Sequence, residues 1–138
     1  MVTRVYGGSN FNALMGAGGW VTSAADLARL VAAIDKDPKV ADVIKAESVD
    51  CLTAYDPEKK ENLSRGWAGV DEKGSWVRTG TLSSTHALVQ HTPDGQCWVI
   101  ITNSGVWTGS KFSKDMQRLI DRLRDTYSPL MPRRNLWH

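Results

Sequence analysis

The sequence predicts an α+β fold: N-terminal helices, an antiparallel sheet of about four strands, and a C-terminal helix packed on that sheet. Apolar residues recur at helical spacing over residues 27–34 and again over 112–123. Between them, residues 66–102 carry short apolar runs separated by glycine-containing turns, which is the pattern of antiparallel hairpins. The 138 residues fit one segment, divided into an irregular and helical part (1–62), a sheet with its closing helix (63–126) and a tail (127–138).

The first helix is predicted by its cap and by one apolar stripe. Five glycines in YGGSN and MGAGG favour irregular structure over residues 1–19. Ser23 can then cap a helix from about 23 to 35, because Asp26 follows three positions later. The apolar side of this helix is formed by Leu27, Leu30, Val31 and Ile34.

A second helix is predicted from Asp37, which can cap it, and Pro38, which suits a first helical position. Its short apolar face would consist of Val40, Val43 and Ile44. The following SVDCLTAY could add a helical turn, and the charged DPEKKEN predicts a solvated loop.

Four strands and a last helix complete the predicted fold. GWAGV and SWVRT flank the turn DEKG, and HALVQHT and CWVIIT flank PDGQ, where Gly95 fits a left-handed position. The run 98–101 is apolar at every position, so we expect its strand to be central and covered on both faces. The helix from about 111 to 125 can cover it with Phe112, Met116, Leu119, Ile120 and Leu123.

Composition excludes several functional classes. The 17 Lys and Arg against 15 Asp and Glu give a net charge of +2, which does not predict a nucleic-acid partner. The cysteines and histidines form no ligand cluster, so we expect no metal and no other cofactor. A membrane span needs about 20 apolar residues, and no run in this sequence approaches that length. Any export signal would lie upstream of Met1. Cys51 and Cys97 are predicted to be small buried residues rather than a disulfide.

The tripeptide Arg78-Thr79-Gly80 is the candidate binding element. On a strand, Arg78 and Thr79 point to opposite faces, and Gly80 leaves space for a ligand. A guanidinium can pair with a carboxylate, a hydroxyl can add a hydrogen bond, and an edge strand offers free backbone N–H groups to an oxyanion. Taken alone, the tripeptide also fits an exposed arginine before a turn.

The order of segments adds to this interpretation. GAGGWVTSAADLARLVAAI, then GWAG, then WVRTGTLSSTHALVQHTPDGQCWVIITN and a closing amphipathic helix together resemble the C-terminal part of the serine beta-lactamase-like family, over about residues 14–126. That family contains class C beta-lactamases, DD-peptidases and related esterases. The resemblance implies part of a transpeptidase-like fold, an acyl-serine mechanism and, by analogy, a periplasmic or secreted enzyme.

The resemblance also implies roles for particular residues. Arg78, Thr79 and Gly80 take the place of a Lys-Thr-Gly or His-x-Gly strand that lines the substrate groove. Thr81 would supply one oxyanion donor through its backbone N–H. Arg78 departs from the usual Lys or His, which excludes a proton-relay role because a guanidinium stays protonated. Ser83 and Ser84 stand where relatives often have a glycine-rich turn.

The nucleophile of that family is missing from this chain. No serine is followed three residues later by lysine, and no Tyr-x-Asn or Ser-x-Asn occurs. Ser75 and Arg78 have the Ser-x-x-Lys spacing, but on a strand they point to opposite faces. His86 and His91 lie on a predicted strand and are expected to be half-exposed packing or surface residues rather than parts of a triad.

We therefore predict a C-terminal segment of a serine beta-lactamase-like hydrolase that is not catalytic alone. Its partners would be the N-terminal part of the same enzyme and a small-molecule or peptide substrate. The alternative is a non-catalytic module that binds a peptide or glycan through an exposed sheet edge, which could also form a homodimer. Of the six tryptophans, Trp67, Trp76 and Trp98 are expected in the sheet core, with Trp76 and Trp107 as candidates for the groove wall.

Overall fold

The computed structural model describes residues 13, 15–63, 65–82, 85–104 and 111–127. These residues have the predicted α+β architecture, with a four-stranded antiparallel sheet, a separate two-stranded hairpin and a C-terminal helix. The elements in chain order are α1 (Met15–Gly18), α2 (Ala24–Ala32), α3 (Ala46–Leu52), β1 (Tyr55–Asp56), β2 (Glu61–Asn62), β3 (Gly69–Val70), β4 (Trp76–Leu82), β5 (Thr85–His91), β6 (Cys97–Thr102) and α4 (Lys111–Tyr127).

The sheet has the strand order β3-β4-β5-β6, and every neighbouring pair is antiparallel. The β3–β4 and β5–β6 turns contain glycines at positive φ, Gly74 at 84° and Gly95 at 80° respectively. Each turn is closed by the glycine N–H, which donates to Asp71 O at 3.0 Å in the first and to Thr92 O at 2.9 Å in the second. Both predicted hairpin turns are confirmed.

Helices cover the sheet on both faces. On one face, which we call the α2 face, Val31 of α2 packs with Trp76 and Val89. On the other, the α4 face, Met116 and Ile120 of α4 pack on Leu88 of β5. Neighbouring strand residues point to opposite faces, so β5 gives Leu88 to one core and Val89 to the other.

The α2 helix begins where the sequence predicts. Ser23 Oγ accepts a hydrogen bond from the Asp26 N–H at 3.1 Å and donates one to the Asp26 carboxylate at 2.7 Å. The stripe places Val31 against the sheet with 2 % of its surface exposed, whereas Leu30 at the edge of the stripe is 54 % exposed. The helix ends at Ala32, about one turn earlier than predicted.

The predicted second helix does not form. Lys36 has φ of 60°, residues 38–40 form a turn, and the next helix begins only at Ala46. Asp37 Oδ1 accepts the Lys39 N–H at 2.9 Å, and the Asp42 carboxylate accepts the Lys36 N–H at 3.2 Å. Such side-chain bonds compete with helical ones. Val43 is 73 % exposed, so this segment has no buried apolar face to stabilise a helix.

Two other local predictions are corrected. DPEKKEN is the turn and second strand of a hairpin in which Tyr55 pairs with Asn62. Its turn is stabilised by Asp56 Oδ1, which accepts the N–H of Glu58 at 3.0 Å and of Lys59 at 3.1 Å. The supposedly irregular first residues include the one-turn helix α1; residues 1–12 and 14 lie outside the described part.

The β6 strand is at one edge of the described sheet, not at its centre. Its apolar run is nevertheless covered on both faces, because Cys97 and Val99 pack on the α2 side and Trp98 and Ile100 on the α4 side. An apolar run therefore indicates that other elements cover both faces of its strand. It does not indicate whether that strand lies at the centre or at the edge of the sheet.

Two further expectations concern single residues and membrane spans. Both cysteines are free, as expected, but Cys51 is exposed rather than buried, and only Cys97 is shielded. Trp76 of β4 is buried and Trp98 of β6 packs against the α4-face core, which confirms their predicted place. Trp67 packs against the α2-face core as predicted but precedes β3 and is not in a strand. Among the described helices, none has the length and apolar character needed to cross a membrane.

Neighbouring positions on α4 test this arrangement. Ile120 has no exposed surface, whereas Leu119 is 48 % exposed. We expect Ile120→Ala to lower the free energy of unfolding by about 2–5 kcal/mol, because it leaves a cavity against Leu88. Leu119→Ala is the matched control and should cost no more than about 1 kcal/mol. Urea denaturation followed by circular dichroism measures both, and equal losses would contradict the assigned orientation of α4.

Candidate functional site

The β4 strand has a backbone edge that no described strand covers. β3 pairs only with Trp76 and Val77. The carbonyls of Ser75 and Val77 accept hydrogen bonds from the β3 side, at 3.0 Å from Asp71 N and 2.9 Å from Ala68 N. Alternate residues of an antiparallel strand present their backbone groups to the same side. The N–H groups of Thr79 and Thr81 therefore face this edge, in the part of β4 that lies beyond the first residue of β3, Gly69.

A groove of about 430 Å³ adjoins this edge on the α2 face. It is lined by residues of β4 and β5, by the apolar side of α2 and by Trp67. The principal lining residues are Leu27, Leu30, Ile34, Trp67, Ala87 and Val89. The groove therefore suits an apolar group of moderate size.

The structure brings three of the four predicted site residues to this groove: Arg78, Thr79 and Gly80. Arg78 is exposed and shares its face with Gly80, and a Cβ placed on Gly80 would meet Ala87 Cβ at 3.9 Å, an ordinary contact. No described neighbour therefore requires a glycine here, and Gly80 instead leaves the floor of the groove open.

Thr81 is placed differently. It does not line the groove, and its Oγ1 lies 3.3 Å from Nδ1 of His86, its cross-strand partner on the α4 face. Only its backbone N–H reaches the uncovered edge of β4. Ser83 and Ser84, which follow on the chain, lie outside the described residues.

Arg78 gives the groove its electrostatic character. Among the described lining residues it has the single charged side chain, and no described carboxylate forms an ion pair with it. A guanidinium without a partner beside apolar walls favours a ligand that joins a carboxylate to an apolar group. Trp76 is buried and does not line the groove; Trp67 takes that place, and Trp107 lies outside the described residues.

The histidines are more deeply buried than the sequence indicated. His86 is 3 % exposed and His91 is 7 % exposed, so neither is a half-exposed or surface residue. His91 Nε2 lies 3.5 Å from Asp35 Oδ2, and its ring stacks on Trp76 with 4.2 Å between ring centres. Asp35 follows α2 in the chain, so this pair joins the end of α2 to β5.

The His91 pair does not form a nucleophilic site with its neighbour Cys97. Burial lowers the pKa of His91, and the Asp35 carboxylate opposes this shift without reversing it. Burial, together with the negative charge of Asp35, raises the pKa of the Cys97 thiol to about 11. The thiol is therefore protonated near neutral pH and is a poor nucleophile. Within the described ranges, no three His, Cys, Asp or Glu side chains come together as a metal site.

Sequence reasoning does not find this pair because its partners are 56 positions apart and Asp35 is the last residue of the first predicted helix. One signal was present: His91 is two residues from Val89 on the strand and therefore shares its buried face.

The lowered pKa of His91 makes folding depend on pH. The unfolded chain binds this proton more readily than the folded chain, so stability is present above about pH 6.5 and is lost below it. Between about pH 7.5 and 5.5 one such group removes at most about 1.4 kcal/mol. Urea denaturation at the two pH values measures the loss. We expect a smaller difference for His91→Gln, which cannot titrate, and a larger one for Asp35→Asn, which removes the carboxylate that favours protonation. A pH dependence unchanged by either substitution would contradict the assignment.

Protein-family models, curated protein sequences and solved structures were all searched, and none matches this chain. Family membership therefore stays a prediction from the sequence segments, and a proposal for function depends on Arg78, the groove and the backbone edge of β4.

Proposed function

We propose that this chain supplies the substrate-groove strand and an oxyanion donor to a serine beta-lactamase-like hydrolase whose nucleophile lies outside the chain. The observation that carries the proposal is the Arg78 guanidinium, which has no ion-pair partner among the described residues and lines an apolar groove beside a strand edge that no described strand covers. The order of sequence segments supports the family, because Arg78, Thr79 and Gly80 take the place of its Lys-Thr-Gly or His-x-Gly strand.

The groove and the edge suit two parts of one acyl substrate. A substrate carboxylate would pair with Arg78 while its apolar body fills the groove against α2. Because the Thr81 N–H faces the edge, a substrate carbonyl lying along β4 would find a donor there. Arg78 and the Thr81 N–H thus bind different groups of the substrate, one an existing charge and the other a developing one.

The mechanism would be acyl transfer through a serine ester. A serine from the N-terminal part of the enzyme attacks the substrate carbonyl, and the negative charge that develops on the carbonyl oxygen is stabilised by the Thr81 N–H. The carbon–nitrogen or carbon–oxygen bond of the substrate then breaks, and its amine or alcohol leaves with the proton that the serine has lost, so that the serine ester remains. Water then hydrolyses the ester and frees the serine. Arg78 only binds and orients the substrate carboxylate, because a guanidinium does not release its proton near neutral pH. By itself the chain should bind substrates without turning them over.

Exposed apolar residues in and just after α1, the helix whose Ala17 lines the groove, support a covering partner. Trp20 is 88 % exposed, Val21 98 % and Met15 63 %, and all three precede α2 or belong to α1. Large apolar side chains clustered on a surface commonly mark an interaction site. The N-terminal part of the same enzyme is the partner that the proposed function requires.

The second candidate is a peptide- or glycan-binding module, and the same uncovered edge of β4 favours it. An extended peptide could pair with the backbone groups of Thr79 and Thr81 and add a strand to the sheet. A second copy of the chain could do the same and form a homodimer. Such binding would depend on the ligand backbone and not on a ligand carboxylate, and this difference separates the two candidates.

Two small ligands of nearly equal shape test the role of Arg78. Phenylacetate has an apolar ring and a carboxylate, and phenylacetamide replaces the charge with a neutral amide. We expect phenylacetate to bind about five-fold more tightly, since a partly exposed charge-assisted contact contributes about 1 kcal/mol. Amide chemical-shift titration of the labelled chain should place the changes at Thr79, Gly80 and Thr81.

Arg78→Ala should abolish the preference for phenylacetate, whereas Arg118→Ala should keep it, because Arg118 lies on α4 beside Asp115. Equal binding of both ligands to the unsubstituted chain would overturn the proposed carboxylate site. A neutral extended peptide that binds at the same amides, independently of Arg78, would favour the binding module. Intact-mass measurement after incubation with benzylpenicillin should find no adduct, and an acylated serine would contradict a nucleophile outside the chain.

A further inference from the structure

Aromatic side chains occupy one end of the groove beside Arg78. Trp76 and Arg78 share a face of β4, because they are two residues apart on the strand. Trp67 packs edge-on against Trp76, with 4.9 Å between the ring centres. Two indole rings therefore lie on one side of Arg78. A ligand chain bound at Arg78 is directed the other way, towards Gly80, the next residue of β4 on the same face.

Small residues line the groove beyond Arg78. Gly80 of β4 and Ala87 of β5 are cross-strand partners, and both line the groove. Among the described residues, the nearest neighbour of a Cβ placed on Gly80 is Ala87 Cβ, at 3.9 Å. These two positions therefore leave an open space above the backbone of the sheet, next to the guanidinium of Arg78.

Helix α1 marks the far end of this space. A Cβ placed on Gly18 would lie 3.9 Å from Leu82 Cδ2, so α1 lies beside the last residue of β4, and its Ala17 lines the groove. At the rise of an antiparallel strand, the distance along β4 from Arg78 to Leu82 is about 13 Å. At about 1.3 Å per carbon–carbon bond, a chain of about eight carbons with its carboxylate spans most of that distance.

The wall over this part of the groove is aliphatic. Asp35, just after α2, contacts His91, the cross-strand partner of Trp76. The end of α2 therefore lies at the Trp76 end of the groove, and Leu27, near its start, lines the groove towards Gly80. Apart from Trp67 and Arg78, the described lining residues include no aromatic and no charged side chain.

From this placement we infer that the apolar part of the ligand is a linear alkyl chain of about eight carbons, with its carboxylate at Arg78 and its methyl end over Gly80 and Ala87. A branch at the carbon beside the carboxylate would be directed at Trp67. The inference rests on the proposed function, because it takes Arg78 as the group that binds a carboxylate. It adds the class of substrate, a linear medium-chain aliphatic compound with a free carboxylate.

A series of saturated carboxylates tests the length of the groove: butyrate, hexanoate, octanoate and decanoate. Amide chemical-shift titration of the labelled full chain should give about two-fold tighter binding for each added methylene up to octanoate, because a methylene in an open groove is partly removed from water. Decanoate should bind no more tightly than octanoate. An affinity that does not rise from butyrate to octanoate, or that continues to rise to decanoate, would overturn the inference.

Three ligands with the same number of carbons separate this inference from the proposed function: octanoate, its branched isomer 2-propylpentanoate, and octanamide. We expect octanoate to bind at least about five-fold more tightly than the branched isomer. Octanamide should bind about five-fold more weakly than octanoate, because it has no charge to pair with Arg78.

The two ways of failing differ. Equal binding of octanoate and its branched isomer, with octanamide still weaker, would overturn the linear chain and leave the carboxylate site of the proposed function in place. Equal binding of octanoate and octanamide would overturn that carboxylate site, and with it the inference.

Ala87→Val narrows the far part of the groove, and Ala68→Val is its matched control, because Ala68 is exposed and does not line the groove. We expect Ala87→Val to weaken octanoate binding about four-fold and to leave butyrate binding unchanged, since butyrate is too short to reach Gly80. Ala68→Val should change neither. Octanoate binding that is unchanged in Ala87→Val, or weakened equally by both substitutions, would contradict the inference.

A second measurement on the unsubstituted chain applies if Ala87→Val does not fold. The methyl resonance of Ala87 should shift on addition of octanoate and stay unchanged on addition of butyrate. A methyl resonance that octanoate leaves unchanged, or that both ligands shift equally, would overturn the proposed position of the chain.

Discussion

The burial of β5 on both faces is the constraint on which the rest of the structure depends. Leu88 has no exposed surface and meets α4, and Val89, its neighbour, is 5 % exposed and meets α2. A shift of β5 by one residue would exchange these faces, so the two cores together fix its register. That register in turn sets Arg78 opposite Val89 and Thr81 opposite His86, so the position of every candidate site residue on β4 follows from β5.

Because the sheet divides the two cores, it also divides two surfaces of different chemistry. On the α2 side, Arg78 is the single charged residue among the described residues that line the apolar groove, whereas four described carboxylates and two cations line a cavity on the α4 side. The groove opens where β3 is too short to cover β4. β3 begins only at Gly69 and pairs with only two residues of β4, so the edge of β4 beyond Val77 has no partner strand among the described residues.

Local signals in the sequence were enough to predict most of the elements. The Ser23 cap, the α4 stripe and the two glycine turns each depend on residues a few positions apart, and all are present. The helix expected at Asp37 failed because the same aspartate can cap a helix or close a turn, and only a buried apolar face would decide between them. The His91–Asp35 pair and the edge position of β6 depend on contacts between distant segments. The spacing of apolar residues within one segment does not predict such contacts.

Polar residues in the most buried strand bear on how this fold is specified. Gln90 and His91 are adjacent, both at least nine-tenths buried, and point to opposite faces. Each meets an aspartate associated with the helix on its side: Asp121 on α4 and Asp35 just after α2. Apolar residues at these positions would pack at less cost but would accept either face equally. Each polar pair instead ties β5 to one particular helix, because a one-residue slip would turn Gln90 and His91 away from their partners. The same pairing leaves Gln90 Oε1 and His91 Nδ1 buried without partners among the described residues, so the two contacts that fix the register of β5 are obtained at the cost of two unsatisfied polar atoms.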